Sequence, residues 1–185
     1  MVVVADDCAL ERTKGITGAR GVAGTVLVHK IAGAAAAAGK SLDEVATIAK
    51  QVCACMGTLG VALDAVTVPG AATVNDRLND TTIEIGLGIH GEAGMKQSPL
   101  LSATEIAQEM IQTIQTFGRI VKADDGTESI VPLFEKGNDL CILVNNLGGT
   151  SNFVSFREYL SRSTINQERK CLKFLGKQNF FVCWD

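Results

Sequence analysis

Short runs of β-branched and apolar residues alternate along this chain with longer segments that have helix-like patterns. The helical segments are residues 21–38, 42–56 and 104–117, and the strand candidates are residues 2–4, 61–68, 83–89 and 140–144. Apolar side chains recur with the helical period in the last two helical segments, as they do in amphipathic helices. Alternating strands and helices are typical of a layered α/β protein, so we expect an α/β fold with helices packed on a sheet.

Signals for the ends of two helices lie close together in the sequence. Gly39 follows the alanine-rich segment and predicts its C-terminal end, because glycine readily adopts the left-handed conformation found there. Ser41 begins the sequence SLDE, a capping box in which the Ser41 hydroxyl and the Glu44 carboxylate each bind a backbone amide at the helix start. We therefore expect a helix to end before Gly39 and another to begin after Ser41.

Two aspartates follow the apolar run at the start of the chain. Residues 2–4 are all valine, and we interpret them as a buried parallel strand that ends at Asp6 and Asp7. Carboxylates at the end of a strand can bind a metal ion or accept a hydroxyl hydrogen bond, but they more often cap the next turn. A central strand seldom starts a chain, so we expect Met1 to be an internal position of a longer domain.

Residues 84–94, EIGLGIHGEAG, combine an apolar strand with a glycine-rich loop that presents one histidine. Glycines such as Gly88 and Gly91 leave room for a small molecule and allow positive φ, so the backbone can wrap closely around whatever His90 touches. Neutral imidazole is a competent nucleophile near neutral pH because its ordinary pKa is about 6.5. Glu92 is a candidate to orient the ring or to bind a substrate hydroxyl. The alternative is a structural histidine whose ring nitrogens bind loop carbonyls.

Four segments of the chain resemble the dihydroxyacetone kinases, a family that includes the animal triokinases. The segments are GARGVAGTVLVHKIAGA, MGTLGVALDAVTVPG, EIGLGIHGEAG and LVNNLGG, which together extend over most of residues 2–153. In that family the histidine of the IHGE segment bonds covalently to the carbonyl carbon of dihydroxyacetone and forms a hemiaminal. The resemblance implies that His90 is the catalytic residue, and we expect Gly88, Gly91 and Glu92 to form the substrate-binding surroundings.

The resemblance also implies the rest of the reaction, a phosphoryl transfer from ATP to a primary hydroxyl of dihydroxyacetone or glyceraldehyde. We expect a partial, two-subdomain substrate-binding module, with residues 1–57 ending one α/β subdomain and residues 58–153 forming a second that carries the histidine loop. Relatives of the single-chain type carry a separate helical domain for ATP and Mg2+, so the resemblance implies that a separate domain or subunit binds them. The chain itself has no GxxxxGK[ST] phosphate loop. Family members are commonly dimers, so we expect a homodimer.

Charge and hydropathy argue against two classes of partner. The net charge is −3 and no basic patch interleaved with aromatic residues occurs before residue 154, which argues against nucleic-acid binding. The longest apolar stretch, residues 21–39, contains His29 and Lys30 and consists mostly of alanine and glycine, so it predicts no membrane span. We therefore expect a cytoplasmic protein with no membrane contact, and we interpret His29 as structural.

The six cysteines have no metal-binding spacing. They are Cys8, Cys53, Cys55, Cys141, Cys171 and Cys183. Cys53 and Cys55 form a CxC pair in a helical segment, where residues two apart point in different directions. We expect buried thiols in a reducing compartment rather than disulfides.

Residues 154–185 differ in composition from the rest of the chain and depart from the family pattern. They contain six of the nine aromatic residues, one of the nineteen glycines and a local net charge of +3. Such a shift marks a boundary, and we expect a divergent tail that is non-native or poorly ordered. The dipeptide Val154-Ser155 is what a retained intron's GTAAGT donor would encode. The alternative is a basic amphipathic helix for a partner or a membrane surface.

Three hypotheses for function follow from these patterns. The first is the dihydroxyacetone-binding module of a kinase, with a histidine that traps the ketone. The second is a catalytically inactive binding or regulatory protein that keeps the ketone-trapping loop and lacks the ATP domain. The third is a fragment that does not fold stably, because uncovered sheet edges and apolar faces would remain.

Overall fold

A computed structural model describes residues 1–10, 19–63, 70, 78–123, 125–135, 138, 140–145 and 182–184. Within these residues the helices are α1 (Gly24–Ala37), α2 (Leu42–Ala54) and α3 (Ala103–Phe117). The strands are β1 (Met56–Thr58), β2 (Val61–Ala62), β3 (Thr82–Ile85), β4 (Lys96–Pro99), β5 (Arg119–Lys122), β6 (Glu128–Val131) and β7 (Val182–Trp184). The described residues combine helices with sheets, which confirms the α/β class.

The three-stranded sheet β2-β3-β4 is antiparallel, with β3 in the middle. Ile83 and Ile85 of β3 are both 0% exposed, and burial of an isoleucine side chain contributes about 1.5–3 kcal/mol. Glu84 lies between them and is also buried. The end of β3 is therefore fixed firmly in the core, and it holds the loop that follows.

Two further antiparallel pairs complete the described sheets. Strands β5 and β6 form a hairpin, and β1 pairs with β7. Strand β7 belongs to the segment expected to be a divergent tail, of which the other residues lie outside the described part. The boundary at residue 154 stays a prediction.

Capping boxes start two of the helices. The Ser41 hydroxyl accepts a hydrogen bond from the Glu44 amide and the Glu44 carboxylate accepts one from the Ser41 amide, as predicted. Ser102 and Glu105 make the same reciprocal pair at the start of α3, which the sequence analysis did not identify. The predicted end of α1 is also confirmed, because Gly39 follows the helix with φ near +80°.

Two clusters of buried side chains form the interior. The first core consists of Cys8, Ala9, Leu59, Ile83, Ile85, Ile106, Met110, Ile114, Leu133 and Phe134. The second core consists of Ala23, Leu27, Val28, Ala49, Val52, Met56 and Leu143. Each core draws residues from both sides of the expected subdomain boundary between residues 57 and 58, and that boundary stays a prediction.

The prediction of a buried parallel strand at residues 2–4 is wrong. Val3 is exposed, whereas Val2 and Val4 are half-buried against the second core. Parallel pairing begins later, as a single bridge between Asp7 and Thr58. The run of valines does not establish a strand, because alternate side chains can pack on a core without backbone pairing.

The predicted strand at residues 140–144 is also irregular in the structure. Leu143 is buried in the second core, whereas Ile142 and Val144 pack against the first. The segment is apolar because it lies between two cores. Its burial does not require pairing with another strand.

The predicted strand at residues 83–89 is right in position and too long, whereas the predicted strand at residues 61–68 lies mostly outside the described part. Strand β3 stops at Ile85 because Gly86 has φ near +79°, a conformation that strands do not use. Strand β2 begins at Val61 as predicted and is assigned only to Ala62, and residues 64–69 lie outside the described part.

The helices of the described segments include none that is long and apolar enough to cross a membrane. Cys8, Cys53, Cys55 and Cys141 carry thiols rather than disulfides, as expected. Cys8 is buried and the other three are half-buried. Cys171 lies outside the described residues.

Candidate functional site

Residues 86–94, the histidine loop, leave the sheet at the end of β3 and return to it at β4. The Met95 amide donates to the Ile85 carbonyl at 2.8 Å, which closes the base of the loop. Within the loop the Gly88 amide donates to the Glu92 carbonyl at 2.9 Å, and the Gly91 amide donates to the Gly88 carbonyl at 2.9 Å. His90 therefore lies at the tip of a small turn that its own backbone closes.

The side chain of Glu92 folds back onto His90. Its Oε1 atom lies 2.9 Å from Nδ1 of the His90 ring, and its Oε2 atom accepts a hydrogen bond from the His90 amide at 3.0 Å. A carboxylate beside Nδ1 favours the tautomer with the proton on that nitrogen, which leaves the lone pair on Nε2. The His90 side chain is 78% exposed, so Nε2 is accessible to a small molecule.

The Glu92 carboxylate is held in its ionised form. Hydrogen bonds from its own backbone amide, from the His90 ring and from the His90 amide lower the pKa of Glu92 to about 2. A carboxylate with such a low pKa is negatively charged at neutral pH. The pair thus places a negatively charged carboxylate beside a ring nitrogen.

Two predicted glycines have separate structural reasons. A Cβ atom on Gly88 would collide with Oε2 of Glu92 and would come within 2.8 Å of Nη1 of Arg20. Gly91 has φ near +83°, which favours glycine, while the space beside it is open. Gly88 therefore permits close packing of two charged side chains, and Gly91 permits the turn.

Arg20 is a residue of this site that the sequence analysis missed. Its Nε atom lies 2.6 Å from Oδ2 of Asp7, and its Nη2 and Nη1 atoms donate to the carbonyls of Gly86 at 2.8 Å and Ala93 at 3.4 Å. Arg20 thus touches both ends of the histidine loop. The available signal was a single arginine inside the small-residue run GARGVAG.

Glu84 supports the same end of the loop from within the sheet. Its Oε1 atom accepts a hydrogen bond from the Gly94 amide at 2.6 Å. Since Glu84 is buried in β3, this contact ties the returning end of the loop to the core.

The side chain of Asp6 binds backbone amides at the start of a helix. It is 1% exposed, and its two oxygens accept hydrogen bonds from the amides of Val22 and Gly24, each at 2.7 Å, at the start of α1. Oδ2 also accepts the hydroxyl hydrogen of Thr58. A negative charge at this position stabilises the helix dipole and satisfies amides that have no partner within the helix.

Asp7 combines a local turn with the contact to Arg20. Its Oδ1 atom accepts a hydrogen bond from the Ala9 amide at 2.9 Å, as expected for a residue that caps the next turn. Burial raises the pKa of Asp7, and this effect outweighs the Ala9 amide and the Arg20 charge, which lower it. Across the described ranges there is no group of three or more His, Cys, Asp or Glu residues that could hold a metal ion. His29 is exposed on α1, away from the histidine loop in sequence.

The structure thus defines an α/β protein with an exposed histidine on a loop between two strands. The profile of the Dak1 domain family matches residues 1–171. The chain therefore belongs to the Dak1 domain family, which confirms the resemblance to dihydroxyacetone kinases.

Curated relatives agree with this assignment. The chain is 41% identical over 151 residues to the triokinase/FMN cyclase of Homo sapiens, a match that covers 82% of this chain and 24% of the human protein. It is 40% identical over 149 residues to the dihydroxyacetone-binding subunit DhaK of a PTS-dependent dihydroxyacetone kinase from Listeria innocua, covering 80% of this chain and 41% of that subunit. The chain thus spans less than half the length of either relative.

Solved structures share the fold. The dihydroxyacetone kinase of C. freundii matches with a TM-score of 0.73 and 27% identity over 99% of this chain and 32% of that chain. A structure described as the dihydroxyacetone kinase operon co-activator Dha-DhaQ matches with a TM-score of 0.56 and 34% identity over 62% of this chain and 35% of that one. The fold therefore occurs both in a kinase and in a co-activator.

Proposed function

We propose that this chain is the substrate-binding module of a dihydroxyacetone kinase, in which His90 holds a ketotriose as a hemiaminal. The observation that supports this most directly is the contact between Oε1 of Glu92 and Nδ1 of His90, which directs the lone pair of Nε2 towards solvent. Membership of the Dak1 domain family supplies the substrate class, since relatives are named for dihydroxyacetone. Gly88 and Gly91 shape the loop around the reacting ring.

The proposed bond forms by addition to the carbonyl group. The Nε2 lone pair attacks the carbonyl carbon of dihydroxyacetone, the π electrons move to the carbonyl oxygen, and that oxygen takes a proton from water. The ring becomes cationic, and the ionised Glu92 carboxylate offsets that charge until the Nδ1 proton is released to solvent. The product is a neutral hemiaminal that fixes a primary hydroxyl for phosphorylation.

The phosphoryl donor is assigned to another domain or subunit. A C. freundii dihydroxyacetone kinase structure contains AMP-PNP and Mg2+, so the related enzyme works with a nucleotide and a metal. The carboxylates of Asp6 and Asp7 are occupied by backbone amides and by Arg20, and the described residues offer no Mg2+ cluster. We expect an ATP-binding partner domain or subunit to hold ATP and Mg2+, and we expect the module to act as a homodimer, as family members commonly do.

The test compares the two histidines of the chain. Calorimetric titration of dihydroxyacetone into the wild-type chain, His90→Ala and His29→Ala measures affinity, and His29→Ala is the matched control because His29 is the other histidine and is exposed. With 15N-labelled histidine and substrate labelled with 13C at the carbonyl, a one-bond carbon–nitrogen coupling reports the covalent bond. We expect binding and coupling in the wild type and in His29→Ala, and neither in His90→Ala. Equal binding by His90→Ala and the wild type rejects His90 as the anchor.

A second candidate function is a regulatory protein that binds the ketone and phosphorylates nothing. The structural match to an operon co-activator favours this alternative. Addition of ATP, Mg2+ and a purified ATP-binding subunit of a related kinase separates the two functions. Formation of dihydroxyacetone phosphate supports the kinase module, whereas binding without turnover supports the regulatory protein.

A further inference from the structure

We propose that Arg20 is a positioning residue that holds the histidine loop in the shape needed for His90 to bind its substrate. This inference rests on the proposed function for its ligand, and it deepens that function by naming the side chain that fixes the loop. Arg20 comes from the segment before α1, so the loop is set by a part of the chain far from it in sequence.

Arg20 holds the two ends of the histidine loop together. Its Nη2 atom donates to the Gly86 carbonyl at 2.8 Å, and its Nη1 atom donates to the Ala93 carbonyl at 3.4 Å. Gly86 is the first residue of the loop and Ala93 is its last but one. A single guanidinium group therefore connects the two ends of the loop. A planar fork with several fixed N–H groups is suited to this bridge, whereas an ammonium group is not.

The guanidinium group is itself held in place. Its Nε atom contacts Oδ2 of Asp7 at 2.6 Å, and the side chains of Arg20 and Asp7 are 18% and 8% exposed. The Asp7 amide also donates to the Arg20 carbonyl at 3.2 Å. An arginine bound through its side chain and its backbone loses little further entropy when it binds the loop.

Arg20 also approaches the part of the loop that carries the reacting pair. A Cβ atom on Gly88 would come within 2.8 Å of Nη1 of Arg20 and would collide with Oε2 of Glu92. The guanidinium and the Glu92 carboxylate thus pack against the same glycine. Movement of Arg20 would therefore free the base of the turn that aligns Glu92 with His90.

Without Arg20, the described contacts that remain at the returning end of the loop come from two amides. The Met95 amide and the Gly94 amide fix the returning end, through the Ile85 carbonyl and the Glu84 carboxylate. The Gly86 and Ala93 carbonyls are joined to each other through Arg20. We therefore expect loss of Arg20 to loosen the loop while the sheet and helices stay intact.

The experiment compares the wild type, Arg20→Lys and Arg20→Ala, with Lys40→Ala as a control that removes a cation from an exposed ion pair with Glu44. Dihydroxyacetone affinity and the carbon–nitrogen coupling to His90 report the site. Amide hydrogen exchange without ligand reports the loop, through the amides of Gly88 and Gly94. Circular dichroism and the unfolding midpoint report the fold.

We expect both Arg20 variants to bind about tenfold more weakly or worse, with faster exchange confined to the histidine loop. Lys40→Ala should match the wild type in every measurement. Wild-type affinity and wild-type exchange in Arg20→Lys would overturn the proposal, and so would global unfolding of both Arg20 variants, because Arg20 would then support the whole fold. If the wild-type chain shows no coupling, the proposed function fails, while exchange in the unliganded variants still decides the role of Arg20.

Discussion

The Glu92 carboxylate contacts His90 twice. Its Oε1 atom lies 2.9 Å from ring atom Nδ1, and its Oε2 atom lies 3.0 Å from the backbone amide nitrogen of His90. Residues two apart in sequence make this contact because the turn between Gly88 and Glu92 is closed by its own hydrogen bonds. This contact favours a proton on Nδ1 and leaves the ring lone pair on Nε2. The backbone hydrogen bonds of the turn therefore place the Glu92 carboxylate beside the His90 ring.

The first prediction concerns the charge of Glu92. In Glu92→Gln the side chain can still accept a hydrogen bond from Nδ1, but it no longer offsets the positive charge that develops on the ring. We expect dihydroxyacetone affinity to fall about tenfold or more, by analogy with the groups that orient metal-binding histidines. Calorimetry measures the change, and Glu44→Gln is the control because glutamine also serves in a capping box. An unchanged affinity in Glu92→Gln would show that the charge has no role.

The second prediction concerns the close packing at Gly88. In Gly88→Ala the new methyl group would collide with the Glu92 carboxylate and crowd Arg20, so Glu92 must leave its position beside His90. We expect binding of dihydroxyacetone to be lost while the helical circular dichroism is retained. Gly33→Ala is the control, since it lies within α1 with nothing within 4 Å of the added Cβ, and it should stabilise the helix by about 0.5–1 kcal/mol. Binding by Gly88→Ala at wild-type strength would contradict the packing argument.

The candidate site could be predicted where its parts are adjacent in sequence. His90, Glu92 and the two glycines lie within a few residues, and the local pattern was enough to place them on one loop. Arg20 could not be placed in the same way, because it is 66 residues from Gly86 and their contact depends on how the chain folds. A local sequence is enough to predict a turn, whereas a hydrogen bond between distant residues can be predicted only when the topology of the fold is known.

The same distinction applies to the fold. Capping at Ser41 was predicted from its sequence, and the equivalent signal SATE at residues 102–105 was present but not used. The strand predictions at residues 2–4 and 140–144 failed because an apolar run shows that side chains are buried without showing what the backbone pairs with. Hydrophobicity therefore predicts which side chains are buried, but it does not predict which strands pair.

The third prediction concerns the stability of the two capped helices. Ser102→Ala and Ser41→Ala each remove a hydroxyl that accepts a hydrogen bond from an amide at a helix start. We expect each change to lower the free energy of unfolding by about 1 kcal/mol, and the two to add because they share no partner. Urea unfolding with an unchanged m-value measures this. Ser98→Ala is the control, since Ser98 lies in β4 and caps no helix, and a loss in Ser102→Ala no larger than in this control would contradict the prediction.

The fourth prediction concerns the acid titration of Glu92, whose pKa is lowered from 4.5 to about 2. Because the folded value lies below the unfolded one, the ionised carboxylate stabilises the folded chain above about pH 4.5, and this contribution is lost as the pH falls towards 2. At about pH 3, Glu92 should remain mostly ionised while an ordinary glutamate is mostly protonated. Carbon-detected NMR of the glutamate carboxyl groups measures this directly.

His90→Ala separates the causes of that low pKa. The largest cause is the hydrogen bond from the backbone amide of Glu92, which the variant keeps, and the next is the ring contact, which it loses. We therefore expect the Glu92 midpoint to rise part of the way towards 4.5 in His90→Ala and to stay at about 2 in His29→Ala. A wild-type midpoint near 4.5 would mean that the carboxylate does not hold the ring in solution, because each hydrogen bond to the ionised form must lower the pKa.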